Sequence, residues 1–177
     1  EPQFSAVKAL EFIRRKFPYK MVEEVNDQTV DDFLNGWMDN RVRVLLFGKV
    51  DVIRLRYLTT AFRYRNRAKL GYVKVHDPNA KATIQRFGIS TSADSLLIFN
   101  ENTDQPVATL SMKDLSLSTI TEVIDAHQFL VLPRLSSQGI FDQLCPPESS
   151  RTRKRLCVVL ITRGEHDEHR RALRDFI

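Results

Sequence analysis

"LLFGKVDVIRLRYLTTAFRYRNRAK", residues 45–69, opens as an apolar run and closes as a basic amphipathic segment. The run ends the stretch "RVRVLLF" and has no polar alternation, the pattern of a central strand covered on both faces. From about Asp51 to Ala68, Leu55, Leu58 and Phe62 recur at helical spacing and are expected to face inward. A covered strand feeding a long helix is the nucleus of an α/β fold. The turn between them, "GKVDVI" at 48–53, is where such folds often place their chemistry, yet it holds no Cys, His or Ser.

Outward from this stretch, strands and helices alternate. Residues 5–17 put Val7, Leu10, Ile13 and Phe17 on one helical face before Pro18. "YKMVEEV" reads as a short strand, and "TVDDFLNGWMDN" as one helix carrying Val30, Phe33, Leu34, Trp37 and Met38. After the basic helix come a strand "LGYVKVH" and a short helix "AKATIQRF", which Asn79 is expected to cap and Gly88 to end. "SLLIFNENTDQPVATL" reads as two strands around a polar turn. Ser118 is the expected cap of a closing helix with the stripe Ile120, Val123, Ile124 and His127. Alternation early and a hairpin late imply a mixed sheet between helices. The pattern then restarts: "FLVLPRL" as a strand, "SSQGIFDQL" as a helix, "RLCVVLIT" as a strand and "EHDEHRRALRDFI" as a helix. This organisation predicts a complete domain over 18–128. Residues 1–17 are then the closing helix of a preceding unit, and 129–177 the first half of a further one.

Composition narrows the function classes. Apolar residues make up 42% and charged residues 28% of the 177, as in ordinary globular proteins. The longest clear apolar run, "CVVLIT", is too short to span a bilayer as a helix. "EPQFSAVKAL" has neither an initiator Met nor signal-peptide features, so the chain is expected to be part of something longer. The net charge is +5, but 22 acids are interleaved with 27 Lys and Arg. No nucleic-acid reading motif accompanies that excess, and nucleic acid is not expected as a partner. Cys145 and Cys157 have neither redox-pair nor metal-knuckle spacing and are expected as partly buried thiols, with a disulfide open only if their Cβ atoms meet.

The element order resembles the thioredoxin fold. The landmarks are "VLLF" before the long helix, "RFGISTSADSLLIF" as helix, Gly-Ile turn and fourth strand, and "PVATL" with "STITEVIDAH" as last strand and closing helix. Tandem units of this kind resemble those of protein disulfide isomerases and J-domain chaperones. The stretch "FIRRKFPYKMVEEVNDQTVDDFLNGWMDNRVRVLLFGKVDVIRLRYL" resembles the thioredoxin-like region of a J-domain co-chaperone in particular. That resemblance implies a parent protein anchored at the endoplasmic reticulum membrane, with its J domain and anchor outside this fragment. It also implies protein partners or client polypeptides, and a heat-shock chaperone partner engaged through the J domain. The "HDP" at 76–78 is not the His-Pro-Asp signature of a J domain.

Carried over position by position, the chemistry of the thioredoxin family is missing. Its two cysteines stand at the start of the long helix, where the helix dipole lowers the first thiol's pKa. Those positions fall near Val52 and Leu55. The buried carboxylate falls at Leu46, and the cis-proline opposite falls near Asp94 or Ala93. In the further unit the cysteine positions fall near His166 and His169. An i, i+3 His pair can begin a metal site, but here it reads as a solvated, charged first turn. The expectation is a protein without catalysis, metal or other cofactor, working as a protein-binding or spacing module. Residual thiol-disulfide exchange or metal binding in the second unit is the alternative.

With the redox centre gone, charge is the remaining signal. Arg54, Arg56, Arg63, Arg65 and Arg67, interleaved with Tyr57 and Tyr64, are the candidate partner-binding residues. Helical spacing assigns Arg54 and Arg65 to one positive strip, and Arg56, Arg63 and Arg67 to another. A second basic cluster, "SSRTRKRL" at 149–156, reads as an exposed loop.

Overall fold

The computed structural model describes residues 5–16, 19–146 and 157–161. The chain divides into two compact units, Glu1–Leu130 and Val131–Ile177. In the first, five strands form one sheet: β1 Val22–Glu24, β2 Val42–Gly48, β3 Ala68–Lys74, β4 Asp94–Phe99 and β5 Ala108–Met112. Their order is β1-β3-β2-β4-β5. β1 and β2 run parallel to β3, whereas β4 is antiparallel to both β2 and β5. This is the mixed sheet that the alternation and the late hairpin require.

β2 is buried along its whole length because helices cover both faces. Val44 and Leu46 point to the face packed by α3 (Leu55–Tyr64) and α5 (Leu117–His127), with Tyr57, Leu58, Ile120 and Ile124. Leu45 and Phe47 point to the opposite face, with Phe33, Leu34 and Phe99. That second face is covered by α2 (Val30–Leu34) and α4 (Lys81–Arg86), and α1 (Ala6–Lys16) precedes the sheet in sequence. Gly88 has φ 61° just after α4, the left-handed position expected of a helix-ending glycine.

Several boundaries differ from those read in the sequence. The expected helix over 29–40 ends at Leu34; Gly36 (φ 82°) and Asn40 (φ 60°) bracket a single 3-10 turn, Trp37–Asp39. α3 is shorter than Asp51–Ala68, because Arg54 is extended (ψ 147°) and Ala68 already belongs to β3. Phe62 is 48% exposed rather than inward. The cap of α5 is Ser116, which accepts from the Thr119 amide at 3.1 Å, and not Ser118. Asn79 is no side-chain cap: Asp27 accepts from the Ala82 and Thr83 amides at the start of α4.

In the second unit, α6 (Gln138–Leu144) forms where expected, capped by Ser137. Residues 129–135 and 157–161 are not strands. In the second of these segments Val158 and Ile161 are 84% and 90% exposed. The two cysteines are joined as Cys145–Cys157, with Cα atoms 6.1 Å apart, which overturns the expectation of free thiols. His166, His169, the 165–177 helix and the 149–156 cluster lie outside the described residues. No group of His, Cys, Asp and Glu suited to a metal occurs among the described residues, and none of their helices is long and apolar enough to cross a membrane.

Candidate functional site

The turn after β2 is built from below by a tyrosine. Tyr72 on β3 donates from Oη to the Val50 carbonyl at 2.7 Å. Gly48 permits this approach, since a Cβ there would lie 2.1 Å from Tyr72 Oη. Leu46 is fully buried beneath, on the same face as Tyr57 and Tyr72, whose rings are tilted with centroids 5.9 Å apart. Burial pushes the Tyr72 hydroxyl up to about 12, with Tyr57 and Asp94 adding to the effect. Tyr57 is raised in the same direction by burial, then by Asp94. Val52 therefore sits 59% exposed on a turn whose interior is aromatic and aliphatic. Leu55, at the other expected cysteine position, is the first residue of α3. Neither side chain can supply a thiolate, and none of the groups beneath is a carboxylate.

Asp94 is the one buried acid beside the turn, and it is 1% exposed. Its carboxylate accepts from Arg54 Nη1 at 3.1 Å and from the Lys49 amide at 3.4 Å. Lys49 Nζ donates to the Ser92 carbonyl at 3.0 Å. These bonds span the cleft between the turn and the loop ahead of β4. Arg54 Nη1 also reaches Asp114 Oδ1 at 2.7 Å, and Arg56 Nη2 donates to that same oxygen. Asp114 follows β5 and is 67% exposed at its side chain. The hydrogen bond from Arg56 holds the Asp114 carboxyl below the usual carboxylate range, and the same bond raises the Arg56 guanidinium. Arg56 Nε is buried and has no hydrogen-bond partner among the described residues.

Two sequence expectations change here. Helical spacing puts Arg54 and Arg56 on different strips, but Arg54 is extended and precedes the helix, so that spacing does not apply and the two converge on one oxygen. Tyr57 and Tyr64 are core residues, 1% and 3% exposed, and cannot be surface anchors. Tyr64 donates to Asp125 Oδ1 at 2.7 Å; burial, then that bond, pushes its hydroxyl up to about 12. The remaining candidates line the outer side of α3. Arg63 pairs with Asp125 at 3.6 Å, Arg65 lies over Phe62, and Arg67 donates to Gln128 and lies over Phe129. Rather than a bare positive strip, these form a series of local ion pairs and stacks, each of modest worth at the surface.

The segments that carry Arg54, Asp94 and Asp114 also expose apolar side chains. Val50 and Val52 are 37% and 59% exposed on the turn, Met112 is 42% exposed opposite Asp94 in the β4–β5 register, and Leu117 is 45% exposed at the start of α5. The residue that composition and spacing missed is Arg43. It lies inside β2 at 2% exposure and donates to the Phe33, Asn35, Gly36 and Arg41 carbonyls and to Asp39.

A family model described as DJC16, Thioredoxin-like domain 2, matches residues 24–127, and one described as DJC16, Thioredoxin-like domain 3, matches 134–177. The chain is 32% identical over 168 residues to a Gallus gallus protein named DnaJ homolog subfamily C member 16, an alignment covering 94% of this chain and 22% of that protein. The Homo sapiens protein of that name is 32% identical over 153 residues, covering 86% of this chain and 20% of its own length. The chain thus spans about a fifth of the curated relatives it matches. Among solved structures, Chlamydomonas reinhardtii thioredoxin f2 is 15% identical with a TM-score of 0.47, covering 60% of this chain and 96% of its own. Oxidized thioredoxin O2 of Arabidopsis thaliana is 10% identical with a TM-score of 0.49, covering 64% and 99%.

Proposed function

This chain belongs to the DJC16 thioredoxin-like family, and we propose that its complete unit is a redox-inactive module that binds polypeptides or spaces domains within a larger J-domain co-chaperone. The parent protein, on this reading, is anchored at the endoplasmic reticulum membrane and hands clients to a heat-shock chaperone partner through its J domain. The observation that carries the reading is the substitution of every chemical part of the redox site at once. On the thioredoxin resemblance Val52 and Leu55 fall at the cysteine positions, Leu46 at the carboxylate and Asp94 opposite, and Tyr72 donates to the turn from beneath. Thiol-disulfide exchange requires a thiolate near the helix start, and no side chain there can form one.

Binding is supported by what replaces the chemistry. The turn and its neighbours present Val50, Val52, Met112 and Leu117 to solvent around two arginines, the combination of apolar contact and guanidinium that anchors protein interfaces. Because Lys49–Ser92 and Arg54–Asp94 already span the cleft before β4, a partner meets this outer rim.

Two measurements test the reading. Insulin reduction by the full-length protein is expected to stay at background, and to be unchanged by Cys145→Ser; turnover that this substitution removes would establish the second unit as an oxidoreductase instead. In cells, a photoreactive residue at Val52 or Met112 of the full-length protein is expected to crosslink polypeptides that one at exposed Gln85, on α4, does not. Equal yields at all three positions would refute a binding role for this end of the sheet.

A further inference from the structure

We propose that Arg54 and Arg56 form a recognition site for a carboxylate side chain of an extended peptide, and that Asp114 occupies it as an internal stand-in. The inference rests on the binding reading above and specifies its partner as an acidic segment with apolar neighbours.

The geometry around Asp114 is unusual for a purely structural ion pair. Two guanidinium groups converge on Oδ1 alone, from Arg54 Nη1 and from Arg56 Nη2. A guanidinium fork matches a carboxylate best when two parallel N–H donors meet its two oxygens. Here neither arginine achieves that fork, and Arg56 Nε, adjacent to the donating Nη2, is left buried without an acceptor. An unmet buried donor is unfavourable, so Asp114 fills the site without completing it. The stand-in is also open to solvent: its side chain is 67% exposed, on the segment between β5 and α5. Arg54 Nη1 also donates to buried Asp94, which keeps one guanidinium in place when Asp114 leaves.

A carboxylate that enters with both oxygens presented meets Arg56 Nη2 and Nε together while Arg54 Nη1 turns to the same group. That arrangement satisfies the orphaned donor and frees Asp114 to solvent. The rim supplies the rest of the specificity. Val50, Val52 and Met112 are exposed beside the pair, so residues flanking the acid are expected to be apolar. An acidic peptide is therefore the occupant that fits by charge and by its neighbours, and Asp114 sets a threshold below which neutral or weakly acidic segments do not displace it.

The test uses the full chain and two fluorescent peptides with acetylated and amidated ends, identical except for a central Glu or Gln between Leu and Val residues. Fluorescence anisotropy is expected to give the Glu peptide about fivefold or better advantage over its Gln twin, the yield of one charge-assisted hydrogen bond. Asp114→Asn is expected to strengthen Glu-peptide binding several-fold while leaving the Gln peptide unchanged. Arg56→Lys, which keeps the charge and removes the fork, is expected to erase the difference between the peptides; chemical shifts or far-UV spectra matching the wild type exclude misfolding. Equal affinity for both peptides in the wild type and in Asp114→Asn overturns the carboxylate site and leaves the binding reading intact. Absence of binding by either peptide to either protein overturns both. Displacement of the Glu peptide by inorganic phosphate at the same concentration as by free Glu peptide also overturns it, because that outcome marks a general anion patch.

Discussion

Arg43 and Arg56 lie at opposite ends of the central strand's neighbourhood and use the same guanidinium in opposite ways. Arg43 is almost wholly buried, and all its donors find acceptors: Nε on the Phe33 carbonyl at 2.9 Å, Nη1 on Asp39 and the Arg41 carbonyl, Nη2 on the Asn35 and Gly36 carbonyls. Trp37 lies against its flat face, 5.1 Å from the ring centroid. Four of those acceptors are main-chain carbonyls, those of Phe33, Asn35 and Gly36 at a helix end and the turn after it and that of Arg41 just before β2. Arg56 is 21% exposed, spends one nitrogen on a solvent-facing acid and leaves another empty. The first arginine builds the domain. The second is what a site looks like when its donors outnumber its acceptors.

That contrast yields the largest expected effect. Arg43→Leu removes five hydrogen bonds at once, and unfolding in urea is expected to show a loss of about 3–5 kcal/mol. Arg43→Lys recovers little, because an ammonium cannot reach acceptors spread around a planar fork. Arg56→Lys is expected to change stability by less than about 1 kcal/mol, as for other solvent-exposed ion pairs. Comparable losses at both positions would erase the distinction between a structural and a recognising arginine.

The turn itself sharpens the comparison next. Gly48→Ala places a methyl group 2.1 Å from Tyr72 Oη and 2.6 Å from Cζ, in a core where the tyrosine is fully buried. Overpacking of this kind costs about 1–3 kcal/mol. In a Tyr72→Leu background the same substitution is expected to cost less, so a double-mutant cycle by urea unfolding should give a clear coupling energy. Additive losses would mean that the turn is not held on Tyr72.

These residues also mark what the sequence can and cannot disclose. β2 was legible because a run of buried apolar residues has few alternatives, and the late hairpin because a polar turn separates two apolar stretches. Val52, Leu55 and Leu46 at the expected redox positions are likewise read by residue type alone. Arg43 was not, because a charged residue in a strand ordinarily points to solvent. Its acceptors are carbonyls, which every residue has and no one-letter pattern reveals. Its burial follows from Gly36 and Asn40 adopting positive φ and folding the Trp37 turn back over the strand. Tyr57 and Tyr64 were misjudged because a helix packed between a sheet and α5 buries a wider stripe than Leu55 and Leu58 define. The Arg54–Arg56 convergence needed the ψ of one residue, and the Asp114 that unites them lies far along the chain.

Titration separates the two sides of the molecule with smaller effects. Tyr64 and Tyr72 have folded-state values of about 12 against an ordinary 10, so the neutral hydroxyl is favoured by folding. Their stabilisation is complete below pH 10 and is expected to disappear as pH rises from 10 towards 12. Tyr72→Phe should flatten part of that alkaline loss. At the acid end the sign reverses. Burial raises Asp27, but the Thr83 hydroxyl and the Thr83 and Ala82 amides outweigh it, and Asp27 ends below its ordinary 3.8. Asp114 is likewise depressed by Arg56. Both contribute above pH 3.8 and lose that contribution as pH falls further, so Asp27→Asn should remove a fall in stability confined to the most acidic range. A loss beginning near neutrality would not fit either acid.

The smallest effect is expected at the chain's two cysteines. Cys145 and Cys157 are joined across a separation of 12 residues within the second unit, and the first unit contains no cysteine. A cross-link stabilises mainly by restricting the unfolded chain it closes, about 3 kcal/mol for a loop of this order, and that benefit is confined to the cooperative unit containing it. Trp37 is the sole tryptophan and reports on the first unit through its contact with Arg43. Its fluorescence midpoint in urea should therefore be the same with and without reductant, while alkylation of both cysteines should require reduction first. A midpoint that falls on reduction would mean that the disulfide sustains the arginine-built domain as well, and that the two units unfold as one.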